Sequence, residues 1–212
     1  MTLTPRFHFA LSYASALHAH QWRKGPNGGH EVPYVMHLLG VCAIVLENDG
    51  SETQAIAALL HDAVEDQGGM AQATRIRDLF GADVERIVLG CTDSFVDTAS
   101  GEAKLPWLQR KRAYLARLQS EPDDVALVSA ADKLDNARAT ERDVQRRGES
   151  LWQIFSAPKA RTIAYYRALI AVYRVKGPAV QRMTDELECI IERLGADVPP
   201  DATLGGDGAD GG

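Results

Sequence analysis

The chain has 212 residues, 45% of them hydrophobic, with 23 Lys plus Arg against 29 Asp plus Glu and a net charge of −6. That size supports one domain with a real core and leaves no room for two large ones, and the acidic balance argues against nucleic acid as a partner, because phosphate-backbone binding needs a basic face. Cys42, Cys91 and Cys189 fall in no CxxC pattern, which argues against a disulfide framework or a thiolate zinc site and suits a reducing cytoplasm.

Met1 to His8 lacks a basic region followed by an apolar core, and no stretch approaches the roughly 20 apolar residues of a membrane span. The expectation is a cytoplasmic protein without a membrane partner. Thr4-Pro5 reads as an N-cap and first-turn pair, and Phe7, Leu11, Ala14 and Leu17 continue a helix to about Gln21. Arg23 to Pro33, rich in Gly, Pro and Asn, reads as loop. Further helices are expected from about Val35 to Asn48, from a capping region at Ser51 through Val64 to Gly68-Gly69, from Ala71 to Phe80 and from Ala82 to Cys91. Thr92 to Pro106 reads as a mobile loop. A helix then starts at Pro106. The run Val125 to Ala131, β-branched enough to suggest a strand, has no partner strand and continues a helical pattern through Ala139. Helices over about 151–175 and 178–194 complete an all-α domain spanning 1–196, and the Gly/Asp-rich residues 197–212 are expected to be a disordered tail.

The chemistry concentrates in Leu59-Leu60-His61-Asp62-Ala63-Val64-Glu65-Asp66. A His and three carboxylates within two turns of an apolar helix are costly to bury, by several kcal/mol per unpaired group, roughly, unless they meet a partner or a metal. His61 with Glu65, and Asp62 with Asp66, share a helix face at i,i+4. His37 upstream and Asp132 downstream lie in similar apolar helices, so two imidazoles and two carboxylates offer a mixed N/O site suited to Mn²⁺, Fe²⁺ or Zn²⁺. A water on such a centre is acidified toward neutrality and serves as a hydroxide nucleophile. Taken alone, a His-Asp pair is more simply a hydrogen-bonded core feature; the earlier His and later Asp make the set specific. Asn136, one turn beyond Asp132, points an amide the same way.

This pattern resembles the HD-superfamily metal-dependent phosphohydrolases. His18-Ala19-His20-Gln21-Trp22-Arg23-Lys24, Pro33-Tyr34-Val35-Met36-His37, Ala58 to Asp66, Leu105-Pro106 with Gln109-Arg110-Lys111-Arg112, and Ala131-Asp132-Lys133-Leu134-Asp135-Asn136 are similar, in order and spacing, to the hydrolase domain of the RelA/SpoT homologue family, and most of all to its stand-alone small alarmone hydrolases, metazoan-type members included. The resemblance covers about Leu11 to Ala171. It implies an HD-domain helical bundle that removes the 3′-pyrophosphate from an alarmone, ppGpp, pppGpp or ppApp. It implies one Mn²⁺, or another divalent ion, on His37, His61, Asp62 and Asp132, with Glu65 and Asp66 orienting and deprotonating water. It places Arg23, Lys24, Asn136, Arg161 and Tyr165 against the nucleotide. His8, His18, His20 and His30 are not expected to be ligands, and Arg110-Lys111-Arg112 cannot all face one side of a helix.

Two departures stand out: the segment between Asp93 and Leu105 is longer than in compact relatives, and Trp107 stands where some of them carry a cation. An NADPH 2′-phosphatase, or another HD nucleotide phosphohydrolase, is the alternative enzyme. A non-catalytic alarmone-binding module is the alternative of a different class, and it is disfavoured because every ligand position and the Glu-Asp pair are filled. Base preference, the number of 5′ phosphates and oligomeric state are not legible in the sequence.

Overall fold

The computed structural model describes residues 2–24, 30–97 and 101–205; the side chains of Lys24, His30 and Glu31 lie outside that description. Helix α1 (Pro5–Leu17) begins where the Thr4 hydroxyl accepts from the Arg6 N–H and Pro5 supplies a preset first turn. It ends four residues before the expected Gln21. Beyond a turn, the Gln21 carbonyl accepts from the Tyr34 N–H at 3.0 Å. Next to it, β1 (Trp22–Lys24) pairs antiparallel with β2 (His30–Pro33). The expected loop over 23–33 is therefore a small hairpin at both ends, because flanking backbone groups satisfy one another across it. Residues 25–29 lie outside the described residues.

Helix α2 (Val35–Glu47) is followed by α3 (Glu52–Leu60), whose start is a full capping box between Ser51 and Gln54. The sequence predicts one helix through to Gly68; the structure breaks it at His61-Asp62, and α4 (Ala63–Asp66) follows as a separate short helix. Asp62 sits at φ −95°, ψ −2°, in the sparsely populated bridge between helix and strand. In an unbroken helix adjacent side chains diverge by about 100°. The break lets neighbouring His61 and Asp62 converge on one point.

Helices α5 (Gly69–Phe80), α6 (Ala82–Cys91) and α7 (Trp107–Ser120) lead to α8 (Asp123–Arg147). This last element spans 25 residues and settles the strand question for Val125 to Ala131. It runs through the middle of the bundle against α2, α3 and α6, and its first half is buried without interruption from Val125 to Asp132. The helix expected over 151–175 is divided: a 3₁₀ turn covers Gly148–Ile154, and α9 (Lys159–Tyr173) starts only after Pro158, which disfavours helical backbone at the residue before it. Helix α10 (Pro178–Leu194) closes the bundle against α8 and α9.

Of the tail expected over 197–212, residues 197–205 are described. Val198 is buried, and Arg167 donates to the carbonyls of Val198 and Pro199. Residues 206–212 lie outside the described residues. Among the described residues, no helix is long and apolar enough to cross a membrane.

Candidate active site

Four elements meet at one point: α2 brings His37, the α3–α4 break brings His61 and Asp62, and the buried half of α8 ends at Asp132. His37, His61 and Asp132 each offer a ligand atom, and these atoms lie within 4.8 Å of one another. The Asp62 Oδ2 atom is 3.0 Å from His61 Nε2 and 3.7 Å from His37 Nε2, while His37 Nε2 is 3.3 Å from Asp132 Oδ1.

Both rings are fixed from behind. His37 Nδ1 bonds the Asp135 carboxylate at 2.7 Å and His61 Nδ1 bonds the Ala58 carbonyl at 2.8 Å. Those acceptors hold the Nδ1–H tautomer and leave each Nε2 lone pair facing the carboxylates. His61 Nε2 is buried and has no hydrogen-bond partner. Burial would lower the pKa of the two imidazoles, yet Asp132 and Asp135 raise that of His37, and Asp62 and Asp132 that of His61, above the ordinary histidine value. An orphaned nitrogen in so negative a field fits a divalent cation.

The carboxylates are themselves oriented. Tyr34 donates to Asp62, and Asn136 and Lys133 donate to Asp132. Arg23 donates to Asp135 at 3.1 Å and to the Asn136 amide oxygen at 2.9 Å, so the residue expected to meet substrate also braces the cluster. A side chain at Gly40, one turn after His37, would collide with the Asp135 carboxylate, so close approach of α2 and α8 requires glycine there.

Around the cluster opens a cleft of about 670 Å³ whose lining includes Arg23, His37, Asp62, Glu65, Asp66, Asn136 and Tyr165. Glu65 is pushed up to about 7, first by burial and then by the charges of Asp93 and Asp62, against the opposing Lys104 ammonium 2.9 Å away. Asp66 is raised too, by burial and by Asp62, and accepts from Gln21 at 2.8 Å. Lys104 lies 3.6 Å from Asp66, and Arg110 lies 3.8 Å from Glu65. Arg110 and Lys111 both engage Asp93, which falls to about 2 because those cations outweigh its burial. Arg112, the third cation of that run, is not a lining residue. Trp107 lines the cleft edge-on to Tyr165, whose hydroxyl is buried without a hydrogen-bond partner.

The structure thus gathers nine of the residues singled out from sequence: His37, His61, Asp62 and Asp132 in the cluster, and Glu65, Asp66, Arg23, Asn136 and Tyr165 around it. Arg161, one turn before Tyr165 on α9, does not line the cleft, and the Lys24 side chain lies outside the described residues. His18 is buried, stacked on Tyr34, and bonds Gln21 at 2.7 Å, so it reaches Asp66 through that amide. Tyr34, Gln21, Lys133 and Asp135 sit inside the motifs quoted above, but the sequence does not show their roles, because what they bond becomes visible only in three dimensions. Lys104 comes from the segment between Asp93 and Leu105 and follows no helical pattern.

The HD domain family model matches residues 10–160. The human guanosine-3′,5′-bis(diphosphate) 3′-pyrophosphohydrolase MESH1 is 35% identical over 135 residues, which make up 63% of this chain and 68% of that protein. The Drosophila melanogaster MESH1 gives the same identity and coverage. A GTP pyrophosphokinase, rsh, of Brucella melitensis is 34% identical over 128 residues, 60% of this chain but only 16% of that longer protein. Among solved structures, one described as a metazoan orthologue of SpoT that hydrolyses ppGpp superposes with a TM-score of 0.68 at 28% identity, covering 88% of this chain and 96% of the other. The Listeria monocytogenes protein lmo0812 matches in fold, with a TM-score of 0.64 at 24% identity over 74% of this chain and 97% of the other.

Proposed function

The chain belongs to the HD-domain family and, within it, to the small alarmone hydrolases of the RelA/SpoT homologue group, and from that membership we propose that it removes the 3′-pyrophosphate from a guanosine or adenosine alarmone, ppGpp, pppGpp or ppApp. The observation that carries this reading is the orphaned His61 Nε2 facing Asp62 and Asp132, with a carboxyl of pKa about 7 on the adjoining turn.

His37, His61, Asp62 and Asp132 would hold one divalent ion, Mn²⁺ in this proposal. Such an ion acidifies water and draws charge from a phosphoryl oxygen. The chain's own groups do the rest. Glu65 takes the proton of the attacking water; a pKa near 7 lets it act as base at neutral pH and later return the proton. Asp66, held by Gln21, orients that water. Water attacks the phosphorus attached to the 3′ oxygen, the P–O3′ bond breaks, and the 3′ oxygen leaves as a hydroxyl carrying the returned proton. Arg23, Arg110, Lys111 and Lys133 supply the positive surroundings in which a diphosphate can rest and developing charge is met, and Lys24 is assigned a substrate contact by the family resemblance alone. Asn136 and Tyr165 position the sugar and phosphate. Arg161 would serve only from the cleft's margin.

The test is pyrophosphate release from ppGpp and ppApp by Mn²⁺-loaded protein, with Glu65→Gln as the comparison. The variant is expected to retain metal and to lose about 10²- to 10⁴-fold in kcat. Parent-like turnover by Glu65→Gln would remove Glu65 from the role of base.

A further inference from the structure

The cleft continues along α8 beyond the cluster. Asp143 follows Asn136 by seven residues, two helical turns, so it shares that face roughly 10 Å further along the axis. Both residues line the cleft. The wall changes character there: Thr140 is joined by Leu151, Ile154 and Phe155 from the segment that follows the end of α8. Phosphates belong at the cluster, where the cations are. The apolar stretch at the C-terminal end of α8 suits a flat base.

The carboxylate of Asp143 makes no hydrogen bond or ion pair with any described residue. The other acids that line the cleft, Asp62, Glu65 and Asp66, are each partnered. In a cleft that receives a polyanion an unpaired carboxylate repels the phosphates, so it belongs where the ligand brings donors. Guanine carries N1–H and the N2 amine side by side on its Watson–Crick edge, a donor pair that matches the two oxygens of a carboxylate. Adenine sets an acceptor, N1, beside its one amine and gives such a carboxylate a single bond and a lone-pair clash. We propose that Asp143 reads the base and selects guanine over adenine nucleotides. This assignment rests on the reading above, in which a nucleotide lies with its 3′ phosphates at the cluster.

The test is calorimetric titration of GDP and ADP, neither of which carries a 3′ phosphate to hydrolyse, into Mn²⁺-loaded parent, Asp143→Ala and Asp143→Asn. Far-UV circular dichroism verifies that each variant is folded. The parent should bind GDP roughly tenfold to a hundredfold more tightly than ADP, the range of a good bidentate base contact. Asp143→Ala should abolish that ratio by weakening GDP alone. Asp143→Asn, whose amide can both donate and accept, should move the ratio toward ADP. Equal affinities in the parent, no binding of GDP, or a GDP preference that survives both substitutions would overturn the assignment. Turnover of ppGpp and ppApp is measured alongside. A parent that discriminates the two bases but hydrolyses neither alarmone keeps the base assignment and loses the reaction; one that hydrolyses both without discriminating does the reverse.

Discussion

The Asp135 carboxylate bonds His37 Nδ1 at 2.7 Å and at the same time accepts from Arg23 at 3.1 Å, so one side chain ties the floor of the candidate metal cluster to the cationic wall of the cleft. Acceptors behind a ligating imidazole fix its tautomer and its aim, and their loss weakens metal binding by roughly 10- to 100-fold. Asp135→Ala should therefore weaken Mn²⁺ by about that factor in competition with a chelator while leaving the fold intact. Gly40→Ala, which pushes a methyl group into the same carboxylate, should give a similar loss. An unchanged affinity in both variants would show that His37 is aimed by something else.

Activity should rise with pH through about 7, since Glu65, the base in the proposed reaction, can take a proton only when ionised, and burial with Asp93 and Asp62 holds its pKa there. Stability has the opposite sense. The folded-state pKa is raised above the ordinary 4.5, so the stability that Glu65 contributes is complete below pH 4.5 and is lost as pH rises through about 7. In metal-free protein at pH 8, Glu65→Gln should be more stable than the parent, by on the order of 1–3 kcal/mol in urea denaturation. A variant equal to or less stable than the parent at pH 8 would contradict the burial of an ionised Glu65.

Lys104 opposes that elevation from 2.9 Å away. Removing it in Lys104→Met should raise the Glu65 pKa further. The acid limb of the kcat/KM profile would then move to higher pH, with most activity recovered near pH 9, and Lys104→Arg should restore the parent profile. A uniform loss at all pH values would instead assign Lys104 to substrate binding alone.

Beneath the cluster, Ser129 stands between two tyrosines, bonding Tyr114 at 2.6 Å and Tyr173 at 2.7 Å, all buried. Ser129→Ala strands two buried hydroxyls and should cost about 1–3 kcal/mol in chemical denaturation. A change below about 0.5 kcal/mol would mean that the tyrosines re-pair with each other.

Most of this site was legible because its chemistry is carried by residue types that an apolar helix does not hold without a reason. His37, His61, Asp62, Asp132, Glu65 and Asp66 stand out in that way, and the structure brings them around one cleft. The helices were legible from apolar spacing and from caps such as Thr4 and Ser51-Gln54. The break at His61-Asp62 was not, because helix-forming residues continue on both sides and only the convergence of two side chains on one point requires it. The hairpin was missed because its strands are three and four residues long and its intervening composition is that of a loop. Asp135 and Gln21 carry no periodic signal; they act on side chains 98 and 45 residues away in the chain.

The most direct measurement is a product-resolved assay of Mn²⁺-loaded protein on ppGpp, ppApp and NADPH in parallel, repeated with His61→Ala and with chelator. The account predicts pyrophosphate released together with the matching nucleoside 5′-diphosphate from at least one alarmone, and none with His61→Ala or after chelation. Phosphate from NADPH with no pyrophosphate from either alarmone, or turnover indifferent to His61, would contradict it.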